Sequence, residues 1–308
     1  MVREQKLAVG AALVSVVLWA SAFVGIRAAG RALSAGPLSL SRLLVGSIAL
    51  GILVAVRREA MPPRRDYRGL LVCGLLWFGA YNVLLNQAER QVDAGTAAML
   101  VNTGPVFIAL LSGLLLGEGF PRRLLVGCAV AFSGTIVIGL ATSSRGLQAG
   151  VGALLCLGAA VAYSAGTVAE KPLLSRTSAL TITWLACTIG AAACLPFAPQ
   201  LVHELAHTQA TTFAWVIYLG VFPTAVGFSF WAYALARTNA GRLGATTYLV
   251  PPMAVVMGWL LLGDTPPALA LLGGLLCLSG VAITRGARLP GRRLVARTQP
   301  PPQEGYES

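Results

Sequence analysis

The sequence carries one short pattern twice: Leu114–Glu118 reads L-L-L-G-E, and Leu260–Asp264 reads L-L-L-G-D, 146 residues later. At the same spacing, and without a gap, further residues coincide: Gly95 with Gly241, Pro105 with Pro251, Pro121 with Pro267, and Ser133-Gly134 with Ser279-Gly280. Self-similarity at a fixed spacing indicates a repeated structural unit. We therefore expect two copies of one fold.

Both copies belong to a chain that is too apolar for a water-soluble protein. Of its 308 residues, 56% are hydrophobic and 11% are charged, whereas about a quarter of a soluble domain is charged. The net charge of +12 could indicate nucleic-acid binding. That function needs basic residues gathered on one face, but here they lie in short gaps between apolar runs. We predict an integral membrane protein whose partners are lipid and a small molecule, with no nucleic acid.

Ten apolar runs can be read along the chain, each near the roughly 20 residues that cross a bilayer as a helix. They predict an all-α membrane protein with ten transmembrane helices. The runs are Leu7–Ala28, Leu38–Val56, Leu70–Ala88, Ala94–Leu116, Leu124–Ala141, Gly150–Ala169, Leu180–Ala198, Phe213–Leu235, Leu243–Leu262 and Ala268–Thr284.

Each repeat holds five of these runs, so the second repeat must cross the membrane inverted relative to the first. Inverted repeats around a central cavity are typical of secondary transporters. The predicted domains are 7–142 and 149–285. A basic and polar tail, 286–308, cannot bury a core and is predicted to be disordered.

Orientation follows from the distribution of Lys and Arg between the runs. One set of alternate connections holds most of them, including both terminal segments. The other set holds Arg27, Arg31, Arg90 and Arg145. Both termini, and the tail, are therefore predicted to be cytoplasmic.

The stretch His203–His207 reads H-E-L-A-H and matches the H-E-x-x-H pattern of zinc proteases. The extended form of that pattern needs Gly and His further on, where this chain has Ala210 and Phe213. We expect a polar loop on the non-cytoplasmic side, with no catalytic residue and no metal ligand. A membrane-embedded protease using His203, Glu204 and His207 is kept as an alternative.

Matching prolines near mid-membrane are the most informative residues for a transporter, because prolines interrupt helices at the binding sites of such proteins. The alternative is that these prolines only kink the helices so that they pack. Pro105 and Pro251 should free the carbonyls of Val101 and Thr247. Aromatic and polar side chains around them form the predicted substrate cavity. Its predicted residues are Trp19, Trp77, Tyr81, Asn82, Asn102, Pro105, Tyr163, Phe228, Trp231, Tyr248 and Pro251.

The charged residues of the apolar runs are few. Arg42, in the second run, either neutralises a carboxylate or snorkels to the interface. Glu89 and Glu170 stand at the ends of their runs, and Glu118 and Asp264 are predicted to cap or order the repeats. No carboxylate is expected well inside the membrane, so the coupling proton or ion stays open.

Six cysteines lie inside the apolar runs without C-x-x-C spacing and are predicted to pack as small residues. No phosphate-binding loop G-x-x-x-x-G-K-[ST] is present. The sequence thus calls for no cofactor and no enzymatic activity, and any energy must come from a gradient.

With these features together, the chain resembles the drug/metabolite transporter superfamily, with two tandem EamA-type domains. The resemblance is carried by L-W-A-S-A-F around Trp19, Arg42, the central prolines and the G-E turn at Gly117-Glu118. It covers almost the whole chain and implies a ten-helix carrier in the bacterial inner membrane. Such carriers export metabolites, amino acids or drugs. A homo-oligomer and a non-transporting scaffold are left open.

Overall fold

A computed structural model describes residues 2–91, 100–142, 151–262 and 267–285 of the chain. In these ranges the chain is helical, with turns between the helices and no β-strand, so the all-α prediction is confirmed there. The helices are α1 (Val2–Ala29), α2 (Ala35–Arg57), α3 (Arg64–Ala88), α4 (Gly104–Leu115), α5 (Arg122–Thr142), α6 (Val151–Leu173), α7 (Ala179–Ala193), α8 (Ala210–Arg237), α9 (Val250–Leu262) and α10 (Ala268–Arg285).

Several helices are long and apolar enough to cross a bilayer. In the described residues these are Glu4–Ile26 of α1 and the whole of α2, α3, α6 and α8. A sixth span is formed if α7 and the following segment Leu195–Ala206, bent by 49°, count as one. Many large apolar side chains on the outside of the helices are exposed, for example Val56 at 74% and Leu114 at 71%. Exposure of such an apolar surface to water is unfavourable, whereas contact with lipid is not.

Two helices contain a stretch of π-helix, in which the turn is widened by one residue. The π-helical segments are Gly74–Ala80 in α3 and Gly220–Val226 in α8. They stand 146 residues apart, the spacing of the sequence repeat. π-Helix is rare and occurs mostly as single turns inside α-helices, which are frequently found at functional sites. The repeated pattern therefore extends to a local feature that helix periodicity does not reveal.

Helices α5 and α10 pack with their backbones in contact. A Cβ added to Gly134 would lie 2.5 Å from the carbonyl oxygen of Gly273, and one added to Gly280 would lie 2.5 Å from that of Gly127. Small residues allow membrane helices to approach this closely. Under the 146-residue offset, the contact Gly127–Gly280 maps onto Gly273–Gly134.

The connections between helices fall at two ends of the molecule. One end, called here the cavity end, holds residues 30–34 between α1 and α2, which contact the short helix Ala198–Ala206. The opposite end, called here the clamp end, holds the start of α3 and the turn after α6, where Asp66 and Arg176 form a 2.6 Å ion pair. Gly95, Asp264 and the tail 286–308, which figure in the sequence analysis, lie outside the described residues.

Candidate functional site

A cavity of about 700 Å³, counting the space open at its mouth, lies in the half of the molecule toward the cavity end. Its wall comes from α1, α2, α3, α6 and α8, and from the segments that precede α4 and begin α9. The side chains that line it are Trp19, Ala22, Phe23, Ile26, Arg42, Trp77, Tyr81, Leu85, Val101, Asn102, Tyr163, Phe228, Thr247 and Val250. An apolar concavity with a few polar groups is the usual form of a small-molecule site.

A layer of aromatic rings closes the cavity toward the clamp end, and we call it the aromatic floor. It consists of Trp19, Trp77, Phe228 and Trp231. The ring centroids of Trp19 and Trp231 are 4.9 Å apart, and those of Trp77 and Phe228 are 5.0 Å apart. Tilted and edge-on ring pairs at these distances attract each other. Beyond the floor, Leu235 and Ala240 have 0% exposure, so this half of the molecule is sealed.

The π-helical turns position the floor. Trp77 lies inside the π segment of α3, and its backbone fits against Gly166 of α6, where an added Cβ would lie 2.5 Å from Trp77 Cβ. In α8, the π segment carries Pro223, whose carbonyl oxygen accepts a 3.2 Å hydrogen bond from Trp19 Nε1. Each widened turn thus orients one tryptophan of the layer.

The polar groups of the wall come from α2, α3 and α6 and from the segments that precede α4 and α9. Arg42 is 5% exposed, and both its Nε and Nη2 donate to Thr224 Oγ1, at 3.2 and 3.0 Å. The rings of Tyr81 and Tyr163 are 5.7 Å apart. Of the two alternatives for Arg42, snorkelling is wrong, because the guanidinium is held inside the helix bundle rather than at its surface.

Six residues predicted from the sequence lie on the cavity wall: Trp19, Trp77, Tyr81, Asn102, Tyr163 and Phe228. The other five lie behind it. Trp231 belongs to the floor but packs behind Trp19 and does not line the cavity, and Asn82 is 2% exposed and donates to its own helix at Phe78 O. Tyr248 is fully buried in a second apolar cluster with Val16 and Ala20. Residues that the sequence analysis missed include Phe23, Ile26 and Thr247.

Pro105 and Pro251 each stand second in a helix, not in the middle of one. Asn102 and Thr103 form the turn before α4, and a 3₁₀ segment, Ala245–Leu249, precedes α9. The carbonyl of Thr247 accepts the Val250 amide hydrogen. The expectation that the Thr247 carbonyl is free is therefore wrong, since the 3₁₀ turn satisfies it.

At the clamp end, two charged side chains hold the corner between α8 and α9. Glu118 accepts hydrogen bonds from the amides of Ala240 at 2.8 Å and Gly241 at 3.2 Å. Lys171 donates to the carbonyls of Leu235 and Thr238 at the end of α8. A carboxylate at a helix start and a cation at a helix end both complement the helix dipole. The predicted capping role of Glu118 is confirmed, and the backbone amides that it caps belong to the second half of the chain.

Glu170 stands near the end of α6, as predicted, yet it is 1% exposed and its Oε2 has no hydrogen-bond partner. The Glu170 side chain is thus buried, although it lies close to the helix end where the sequence predicts it. Its helix neighbour Lys171 reaches the α8 carbonyls instead of pairing with it in an ion pair.

The H-E-L-A-H stretch forms part of the short helix Ala198–Ala206, so the expectation of a loop is wrong. Its Glu204 is engaged as a cap of α2: Oε2 accepts the Ser34 amide at 2.9 Å and Oε1 accepts the Ser34 hydroxyl at 2.6 Å. His207 Nδ1 lies 2.8 Å from the carbonyl oxygen of His203. In the described part of the chain, no group of three potential metal ligands is assembled. The carboxylate of the motif, Glu204, thus has a structural role at the start of α2.

The His203→Ala, His207→Ala double variant is expected to transport at the wild-type rate and to bind as little zinc as the wild type. Glu204→Ala, in contrast, should lower the free energy of unfolding by roughly 1 kcal/mol, because it removes the cap of α2. Metal analysis and thermal unfolding of the purified variants check both. One tightly bound zinc per wild-type chain, lost in the double variant, would contradict the capping interpretation.

Comparisons with known proteins agree with this architecture. The model of the EamA-like transporter family matches residues 6–140 and again residues 150–286. A protein of Streptantibioticus cattleyicolor named a probable terminal-alkyne amino-acid exporter is 40% identical, over 93% of this chain and 98% of its own. An Escherichia coli protein named a probable amino-acid metabolite efflux pump is 26% identical, over 88% of this chain and 92% of its own.

A solved crystal structure has the same fold, with a TM-score of 0.73 at 19% identity, covering 90% of this chain and 95% of that one. The family model matches once in each half of the chain, and the Streptantibioticus relative spans almost all of it. The chain is therefore a membrane transporter that belongs to the EamA-like transporter family of the drug/metabolite transporter superfamily.

Proposed function

We propose that the chain is a secondary transporter that exports a small amphipathic metabolite by alternating access. The observation that carries the proposal is the cavity: it is walled by apolar and polar groups, ends on the aromatic floor, and is followed by a sealed clamp end. A site that is accessible from one side and sealed from the other is what alternating access requires.

We propose further that ten transmembrane helices form two inverted five-helix repeats, 7–142 and 149–285. Three structural features support this. The π-helical segments recur at the spacing of the sequence repeat, and the α5–α10 glycine contacts map onto each other under it. The helix pairs agree as well, since α1 packs on α8 and its counterpart α6 packs on α3.

The orientation proposed from the Lys and Arg distribution puts the clamp end in the cytoplasm. The cavity then faces outward, and the described conformation is the outward-facing one. Opening of the clamp end would give the cytoplasm access to the same cavity. A coupling proton or ion is compatible with this cycle, and so is facilitated diffusion.

The names of the two relatives support a substrate class, since one is named a probable terminal-alkyne amino-acid exporter and the other a probable amino-acid metabolite efflux pump. We propose that this chain moves apolar amino acids or closely related metabolites. The aromatic floor supports an apolar side chain, and Arg42, Asn102 and Thr247 offer polar contacts.

The test is counterflow in proteoliposomes loaded with a panel of unlabelled amino acids and amines, with the labelled compound outside. We expect exchange of one or more apolar amino acids, absent from protein-free liposomes and retained after deletion of everything beyond Thr284. No exchange of any compound by a well-folded protein would contradict the carrier function and favour a scaffold.

Topology is tested by cysteine labelling. The six native cysteines are free and buried, as predicted, so a membrane-impermeant maleimide should find little background. Arg64→Cys and His203→Cys are expected to label from opposite sides of intact cells, His203→Cys from outside. Labelling of both from the same side would contradict the inverted repeat.

A further inference from the structure

Arg42 is a buried cation on the cavity wall whose charge is not balanced by an ion pair. The single ion pair among the described residues joins Asp66 and Arg176. Glu89, which directly follows the last residue of α3, interacts electrostatically with Arg42. The two side chains do not form an ion pair. Because an ionised group is costly to remove from water without a counter-charge, Arg42 needs an explanation beyond packing.

The hydrogen bonds of Arg42 leave part of the guanidinium available. Nε and Nη2 both donate to the same neutral acceptor, Thr224 Oγ1, whose own hydroxyl donates to Leu219 O at 2.8 Å. Nη1 makes no hydrogen bond in the described part of the chain. It is also not one of the fully buried polar atoms without a partner, so it is accessible from a neighbouring space. Since Arg42 lines the cavity, Nη1 faces that space.

The π-helical turn of α8 fixes this arrangement. The hydroxyl of Thr224 reaches back five residues to Leu219 O, as a π turn allows, and so presents its oxygen to Arg42 on α2. The guanidinium is thereby held on one edge while the other edge points toward the cavity. Held in this way, the guanidinium can meet a planar anion without losing much side-chain freedom.

We propose that Arg42 binds the carboxylate of the transported solute, with Thr224 as its positioning residue. The proposal rests on the carrier function proposed above and narrows it to small carboxylic acids, apolar α-amino acids included. The carboxylate meets the guanidinium, and the apolar part of the solute lies against the aromatic floor. A carboxylate accepts two N–H groups from arginine in a geometry that an amide cannot reproduce.

The experiment compares L-leucine with L-leucinamide, which differ at the carboxylate, as competitors of counterflow and as ligands in binding assays on the full-length protein. Wild type is expected to prefer L-leucine by about tenfold or more. Arg42→Gln should abolish this preference by lowering the affinity for L-leucine, while the affinity for L-leucinamide changes little. Arg42→Lys should retain part of the preference, because lysine keeps the positive charge but lacks the paired N–H groups of the guanidinium.

Arg237→Gln is the matched control, since it removes the same charge from an exposed site at the clamp end that stacks on Tyr233. It should keep the full preference. Thr224→Val should reduce the preference less than Arg42→Gln. Thermal unfolding of every variant separates binding from folding, and Arg42→Lys carries the test if Arg42→Gln does not fold.

An unchanged preference in Arg42→Gln, or equal use of acid and amide by the wild type, would overturn the carboxylate anchor and leave the carrier function intact. Counterflow of neither compound nor any other member of the panel would contradict the carrier function, and the anchor with it.

Discussion

Trp77→Ala is expected to unfold at a clearly lower temperature than the wild type and to lose substrate binding. Trp77 is 2% exposed, and its ring lies within 6.4 Å of the rings of Trp19, Tyr163, Phe228 and Trp231. Removing a buried tryptophan side chain costs about 3 to 5 kcal/mol, because a cavity remains where the ring was. The same change removes the centre of the aromatic floor.

Two measurements separate these effects: thermal unfolding of the purified variant, and equilibrium binding of a labelled solute to the same preparation. Trp77→Phe should recover most of the stability, because it refills much of the space. Phe222→Ala is the control, since Phe222 lies in the π segment of α8 but is 48% exposed, and it should change little. Wild-type unfolding and binding in Trp77→Ala would contradict the packing described for the floor.

Glu118→Ala is expected to shift the carrier toward the state that is open at the clamp end. The variant leaves the amides of Ala240 and Gly241 without their acceptor, and the loss of a helix cap costs roughly 1 to 2 kcal/mol. If that energy is lost mainly from the closed state, the open population should rise about five- to thirtyfold. A cysteine at Ala234, which is 0% exposed, should then react faster with a maleimide.

The control for this change is Glu4→Ala, which removes an exposed carboxylate at the same end of the molecule. Lys171→Met should act in the same direction as Glu118→Ala, and the two should not add fully, because both side chains hold one corner. An unaltered labelling rate at Ala234→Cys in both variants would mean that the clamp-end contacts do not control opening.

The sequence was sufficient for the features that depend on composition and spacing. Apolar runs predicted the all-α fold and the helices that are long and apolar enough to cross a bilayer. The aromatic residues of α1, α3, α6 and α8 were found because they stand out in the middle of apolar runs. The cap by Glu118 was also predictable as a role, since a carboxylate follows a glycine turn, here Gly117 at φ +65°. Its partners were not, because Ala240 lies 122 residues away in the chain.

Other features depend on tertiary contacts that no local pattern reports. Arg42 is buried because Thr224, 182 residues away, accepts its hydrogen bonds. Glu204 fits a protease motif by spacing, but its environment is the start of α2. The π turns leave no mark on apolar periodicity, because helices that are apolar all round look the same with or without an extra residue in one turn.

The glycine contacts between α5 and α10 bear on how such a chain can arise. Because Gly127–Gly280 and Gly134–Gly273 exchange places under the repeat offset, this surface is self-complementary, as in a symmetric dimer. A single half-length ancestor could dock against an inverted copy of itself through one pair of glycines, and any mutation there would alter both contacts at once. The equivalence is not complete beside the glycines, because Thr284 faces Gly127 whereas the equivalent Ile138 faces Gly273. In one chain that holds both halves the two contacts are encoded separately, so a substitution in one contact leaves the other unchanged.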